Sequence, residues 1–268
     1  MRTIPTQPLG RSSVPCPTCA SEAPPSFDAC GTCNTPVGSP PLYPDVPTYG
    51  VRQIGVAAAV AVGVGTLSYQ LLGLVALAVP TLAEQAQGQD DGRSALVAVA
   101  ATGLVGLLHL VSLVTAGVLV IIWTYRARRN LDAFPGSRAS LSAGVGIAGW
   151  LVPLVNLVLP FLVLAELARD SLWRERTPPS VVLWWAGWLA FMVGDRISGN
   201  MDDPSAFWQL LPMVGCALAG TALVVLIMRI SSAQEARVAS GRPAWPVLPG
   251  TTVTSPQVPP VPGGTIGA

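Results

Sequence analysis

The sequence predicts an all-α, polytopic integral membrane bundle that carries a small N-terminal zinc ribbon and a disordered C-terminal tail. Three observations lead there: sparse charge, five long apolar stretches, and two closely spaced cysteine pairs. Only 11% of the 268 residues are charged, whereas 51% are hydrophobic, and the mean hydropathy is +0.54. A soluble chain is about 25% charged, so this composition suits a molecule whose solvent is mostly lipid. The formal net charge of +1 gives no electrostatic footprint for nucleic acid, and no such partner is expected. All 15 basic residues are Arg. A lysine-free chain rich in Ala, Val, Gly and Pro points to a GC-rich genome such as that of an actinobacterium.

Residues 1–15 read as disordered, 16–36 as the zinc ribbon and 37–50 as a linker, since Pro, Ser and Thr leave little apolar surface to bury. The first apolar run begins only near residue 54. No secretory signal peptide is therefore expected, and the first membrane segment acts as its own insertion signal. The helical membrane domain occupies 51–230, with segments at about 54–79, 95–123, 140–165, 180–199 and 206–228. Each is close to or above the ~20 residues that cross a bilayer. Trp123 and Tyr125 close the second as an expected interfacial pair. Asp195 and Arg196 lie near one end of the fourth, where snorkelling tolerates them. Residues 231–268 are assigned to a Pro-, Gly- and Thr-rich disordered tail, although the chain from Arg229 first runs through an Arg-containing segment of helical character.

The third segment decides the topology. Pro153 and Pro160 each remove a backbone donor and crowd the preceding turn, which disfavours a straight helix between them. Asn156 sits in the gap, where its amide can satisfy freed backbone groups. A re-entrant or half-embedded segment leaves four spanning helices and both termini on one face. Every Arg except Arg93 and Arg196 then shares that face, which the positive-inside rule makes cytosolic. A kinked but spanning third segment gives five spans and splits the Arg almost evenly. The Arg distribution favours four spans in the plasma membrane, with both termini cytoplasmic.

The segment Trp150-Leu-Val-Pro153-Leu-Val-Asn156-Leu-Val-Leu-Pro160 resembles the W-x-x-P-x-x-N-x-x-x-P signature of an uncharacterised, mainly actinobacterial membrane family, domain of unknown function 4328. Tyr125-Arg126-Ala-Arg128-Arg129-Asn130 is similar to the family's basic tract, Glu166 and Ser171 to its downstream acidic and serine positions, and Trp184-Trp185 to its tryptophan pair. The likeness covers roughly residues 54–230. Phe161 and Leu162 depart from the polar or basic residues usual after the second proline, and Ala168 stands where an aromatic is common. The resemblance implies a fold and a membrane location, and no activity.

Cys16-Pro-Thr-Cys19 is followed after ten residues by Cys30-Gly-Thr-Cys33. Two C-x2-C knuckles let four thiolates enclose one tetrahedral Zn²⁺. Disulfides are the alternative, but they belong to an oxidising compartment, and the Arg count puts this end in the cytosol. Phe27 is the expected packing residue between the knuckles. Four cysteines leave no open coordination position, so the zinc is expected to be structural.

Tyr69, Gln70 and His109 fall inside the first two segments, at a depth that antiparallel packing brings near Asn156. Intramembrane polar groups are functional candidates, although interhelical hydrogen bonding explains such groups more simply. Cys216 is expected to be a small buried residue, and Arg126, Arg128 and Arg129 to be topogenic charge. No Walker loop, Rossmann fingerprint, H-E-x-x-H or G-x-S-x-G occurs, and no enzymatic activity is expected. The leading expectation is a non-enzymatic scaffold or regulatory module. It would present its ribbon to a cytosolic protein partner, with the Pro-rich tail as a second docking segment. The alternative is a transporter or channel component that uses the broken segment. No residue pattern specifies an oligomeric state.

Overall fold

The computed structural model describes residues 14–16, 21–23, 30–31, 42–43, 45–86, 92–173, 176–201 and 205–241. Near the N-terminus, β1 (Val14–Pro15) and β2 (Glu22–Ala23) pair antiparallel, with Val14 opposite Ala23. The described remainder is helical. Four long helices, α1 (Arg52–Ala86), α2 (Gly92–Leu131), α5 (Pro179–Ser198) and α6 (Ala206–Gly241), form the bundle, and a broken pair packs against α2, α5 and α6. That pair is α3 (Ala143–Leu151) and α4 (Leu159–Ser171), joined through a 3-10 turn at Val155–Leu157. Three helices are long and apolar enough to cross a membrane, within Arg52–Ala78, Val99–Leu131 and Ala206–Ser240. Their outer faces are lined with exposed leucine and valine, from Leu67 and Leu74 on α1 to Leu104 and Val114 on α2. Apolar side chains at that density on an outer face mark a helical membrane bundle.

Successive contacts along α1 set the order of depth. Gly55 lies against Ser231, Thr66 against Gly220, and Gly73 against Met213, so α1 and α6 run antiparallel. The α5–α6 seam is closer still. A Cβ on Gly187 would sit 2.8 Å from Ala219 N and 2.9 Å from Gly215 O, so only glycine allows the two backbones to meet there. Pro212 inside α6 faces Gly194, which has no side chain to obstruct the ring.

The two prolines act differently. Pro153 falls in the break itself, between α3 and the 3-10 turn. Pro160 opens α4 in its first turn, where a missing N–H costs no helical hydrogen bond. The two arms bend by 109° and are pressed together at Gly149, where a Cβ would meet Leu159 Cβ at 2.8 Å. Gly144 has only Ser142 Oγ near it, and the small residues of α3 that meet α4 are Gly146 and Gly149.

Both arms of this hairpin begin and end at the same face of the bundle, called here the proximal face. Glu166 on α4 accepts hydrogen bonds from the Ser140 and Leu141 amides (3.1 Å each) and from Ser140 Oγ (2.6 Å). Asp170 accepts from Ser137 Oγ and the Arg138 amide, both at 2.8 Å. Residues 137–141 precede α3, and 166–170 end α4.

Three sequence expectations need correction. Helix α6 runs past the apolar stretch to Gly241, so residues 231–241 are ordered helix rather than tail. Trp123 is fully buried and donates to Ser231 Oγ at 2.9 Å, so it is core and not an interfacial anchor. The end of the supposed linker is docked: Tyr43 N donates to Ala133 O at 3.0 Å, and Val46 packs against the core.

Candidate functional site

Two polar regions distinguish this molecule, one at the proximal face and one inside the bundle. At the proximal face, the carboxamide of Gln234 is completely buried on the extension of α6. Its Nε2 donates to Ala127 O (3.0 Å) and Ser171 Oγ (2.9 Å), while its Oε1 accepts from Asn130 Nδ2 at 3.0 Å. Asn130 in turn holds both backbone groups of Tyr49, accepting from its N–H at 2.6 Å and donating to its C=O at 2.9 Å. Arg128 is 6% exposed and reaches Leu141 O, Ala139 O and Asp132. Arg237 donates to Pro135 O at 2.7 Å with its guanidinium 4.3 Å above the Phe134 ring. This polar knot ties α2, α4, α6 and the segment before α1 into one unit.

The knot accounts for much of the family-like pattern outside the Trp-Pro-Asn-Pro signature. Arg128 and Asn130 from the basic tract, Glu166 and Ser171 all serve in it. Arg128 is therefore a buried fastener and not simply a topogenic charge. Sequence inspection missed Gln234 and Arg237, whose signal was present: two polar residues three apart on one face of a segment that still reads as helix.

The described residues of the predicted ribbon include Cys16 and Cys30, which lie beside the exit of α4. Cys16 and Cys30, one from each knuckle, are both buried and form one small cluster with Trp173, in the loop after α4. Cys16 N donates to Ser21 O at 2.8 Å, and Ser21 Oγ lies 3.2 Å from Cys30 Sγ. Cys19, Cys33 and Phe27 lie outside the described residues. Among the described residues no three His, Cys, Asp or Glu gather as a metal group. The donor chemistry nevertheless fits a thiolate site: cysteines distant in sequence are gathered, and a hydroxyl is placed to hydrogen-bond one sulfur. Trp173 is also the one non-glycine residue with positive φ (53°) among the described residues, a conformation that costs roughly 1–2 kcal/mol.

Inside the bundle, a cavity of about 280 Å³ opens between α1, α2, the hairpin tip, α5 and α6. His109, Asn156, Trp150, Trp184, Trp188 and Cys216 are among its lining residues. His109 Nδ1 lies 3.1 Å from Ser68 Oγ and 3.3 Å from Gly65 O. Ser68 commits its proton to Gly65 O and Ser112 commits its own to His109 O. Gly65 O can only accept, so a proton on Nδ1 satisfies that contact, and in that tautomer Nε2 is an acceptor. The expected cluster is thus divided. His109 and Asn156 share the cavity, whereas Gln70 donates to Met213 O at 2.9 Å and ties α1 to α6. Tyr69 donates to Asp195 Oδ1 at 2.7 Å and rests its ring 5.4 Å from His109 and 5.0 Å from Phe191. Of the family-like tryptophan pair, Trp184 is buried against Trp150, and Trp185 donates to Leu157 O at the hairpin tip.

Fold and composition together define an α-helical membrane protein. Residues 86–235, more than half of the chain, match the family model described as Domain of unknown function (DUF4328). The chain belongs to that family. The match begins at the end of α1 and takes in α2 to Glu235, a shorter span than the 54–230 expected from the motifs at its start. It includes the knot residues up to Gln234 and the whole broken hairpin. No curated protein and no solved structure matches the chain.

Proposed function

We propose that the protein is a non-enzymatic membrane module that presents a structural zinc ribbon, at the cytosolic face of the plasma membrane, to a protein partner. In this arrangement α1, α2, α5 and α6 span the bilayer and the α3–α4 hairpin is re-entrant. The observation that carries the proposal is the seating of the Cys16–Cys30 cluster on Trp173. The ribbon then docks directly at the exit of the hairpin, against a loop held in a strained conformation, rather than hanging on a free linker.

Two further facts support it. The hairpin enters and leaves beside the knot, where α1 begins and α6 ends; Arg52 and Glu235 lie 3.5 Å apart there. Only Arg93 and Arg196 fall on the opposite side in that arrangement, as the positive-inside rule requires for a cytosolic proximal face. Cys16, Cys19, Cys30 and Cys33 would hold the Zn²⁺, which supplies folding energy to a segment too small to make its own core. The engagement of Gln70 and Tyr69 with α6 and α5 favours a bundle-holding role for them over a solute path.

Single cysteines at Thr177 and Ser232, in a Cys216→Ala background, test the topology with a membrane-impermeant thiol reagent on intact cells. Four spans require both to be protected until lysis. Labelling of both from outside gives five spans and ends the proposal. Metal analysis of the purified full chain checks the ribbon: one zinc per chain is expected, and none after Cys16→Ser with Cys30→Ser.

A further inference from the structure

Two buried polar atoms at the hairpin tip lack a partner among the described residues: the indole N–H of Trp150 and the side-chain oxygen of Asn156. One residue precedes the Pro153 break and the other follows it, and both line the internal cavity. Other unpaired buried atoms occur on α2, at Thr124 and Arg129, and at the Trp173 indole in the loop after α4, but none of these residues lines that cavity. Three comparable groups elsewhere in the bundle are matched: Trp123 to Ser231, Trp185 to Leu157 O, and Gln234 to three partners. Buried indole and amide groups are normally paired, so an unpaired donor and an unpaired acceptor on two residues that line one cavity describe the complement of a ligand.

We propose that this cavity binds an uncharged bilayer lipid through a head group that both donates and accepts hydrogen bonds, as the hydroxyl of a lipid alcohol does. Trp150 Nε1 would donate to the hydroxyl oxygen. Asn156 Oδ1 would take its proton, with His109 Nε2 a second acceptor on the same lining. The lining contains no Asp, Glu, Lys or Arg. An ionised head would therefore lose its water without gaining a counter-ion, and a neutral one is selected.

The rest of the wall is apolar, with Trp184, Trp188, Phe191 and Leu223 available to an alkyl chain. About 280 Å³ lies at the lower end of small-molecule pockets. It accommodates a head and the first part of a chain, not a whole lipid. Access is lateral. Leu113 lines the cavity and is yet 53% exposed on the outer face of α2, and nothing lies within 4 Å of a Cβ placed on Gly117, which also lines it. The cavity is half-open rather than sealed, and Leu113 belongs both to its wall and to the outer surface.

The site depends neither on the ribbon nor on the number of spans, and its test leaves both aside. The purified full chain, in phosphatidylcholine nanodiscs, is photolabelled with a long-chain fatty alcohol bearing a diazirine beside its hydroxyl. Labelled residues are then located by mass spectrometry. Label is expected at Leu113, Trp184 or Trp188. Unlabelled alcohol should displace it at a concentration at least about tenfold below that of the matching carboxylic acid or alkane, because a site built to pair a hydroxyl rejects analogues that lack one. Trp150→Phe and Asn156→Leu should each lower the saturable label severalfold. Equal competition by all three compounds overturns the proposal, and so does the absence of saturable label, which is the outcome for a cavity that holds only water. Trp150→Phe keeps an aromatic ring at this position while removing the N–H, and it carries the test if Asn156→Leu does not fold. Unchanged labelling in folded Trp150→Phe also overturns it.

Discussion

Gln234 in the proximal knot and Asn156 at the hairpin tip are both carboxamides held inside the same bundle, and they are treated in opposite ways. Gln234 uses both donors and its oxygen, binding α6 to α2 and α4. Asn156 keeps its oxygen buried and unpaired beside a cavity. Burial of a polar group is therefore not by itself the mark of a site here; the state of its hydrogen bonds is. A satisfied network specifies one packing of the helices, while an unsatisfied group stores a cost that a ligand can relieve.

Substitutions at the two positions should break or confirm this contrast. The largest effect is expected from Gln234→Ala, which strands Ser171, Asn130 Nδ2 and the Ala127 carbonyl in the interior. Each stranded group costs about 1–3 kcal/mol, so a loss of about 3 kcal/mol is expected in reversible unfolding from mixed micelles. A loss below about 1 kcal/mol would mean that the knot does not hold the bundle together.

Glu166→Ala comes next, with about 1.5–3 kcal/mol expected from its charge-assisted bonds to the 140–141 backbone. It should also speed hydrogen exchange at the Ser140 and Leu141 amides before any other change. Unaltered exchange there would separate Glu166 from the closure of the hairpin. Asn156→Leu should have a smaller effect of the opposite sign, neutral to about 1 kcal/mol stabilising, since it removes an unpaired group. If it destabilises as much as Gln234→Ala does, the contrast between the two amides is lost. Trp173→Gly is expected to leave bundle stability within about 0.5 kcal/mol, because relief of the positive φ offsets lost packing. It should still hasten zinc transfer to a chelator severalfold. Wild-type transfer kinetics would remove Trp173 as the seat of the ribbon.

Much of the bundle was legible from hydropathy and from two prolines. The long apolar runs gave the long helices, and Pro153 with Pro160 marked the break to within a few residues, because a missing donor acts locally whatever surrounds it. Hydropathy could not carry α6 to Gly241. Its last turns are polar, and they stay helical because Gln234 and Arg237 find partners on α2 and the loop after it. Trp123 failed for a related reason. An indole at the end of an apolar run looks interfacial until Ser231, far along the chain, supplies its acceptor. Of the suspected intramembrane cluster, His109 and Asn156 meet at the cavity, while Gln70 and Tyr69 face neighbouring helices, a division set by helix rotation that spacing along one chain does not encode.

The sequence by itself determined the solvent of this protein, the positions of its membrane segments and the place where the third one breaks. These follow from composition, run length and proline stereochemistry, all properties of residues a few positions apart. Only the tertiary structure decided which polar groups became fasteners and which were left open. That outcome depends on whether a partner from a distant helix arrives within about 3 Å, and Trp150 and Asn156 are the pair at the cavity for which none does.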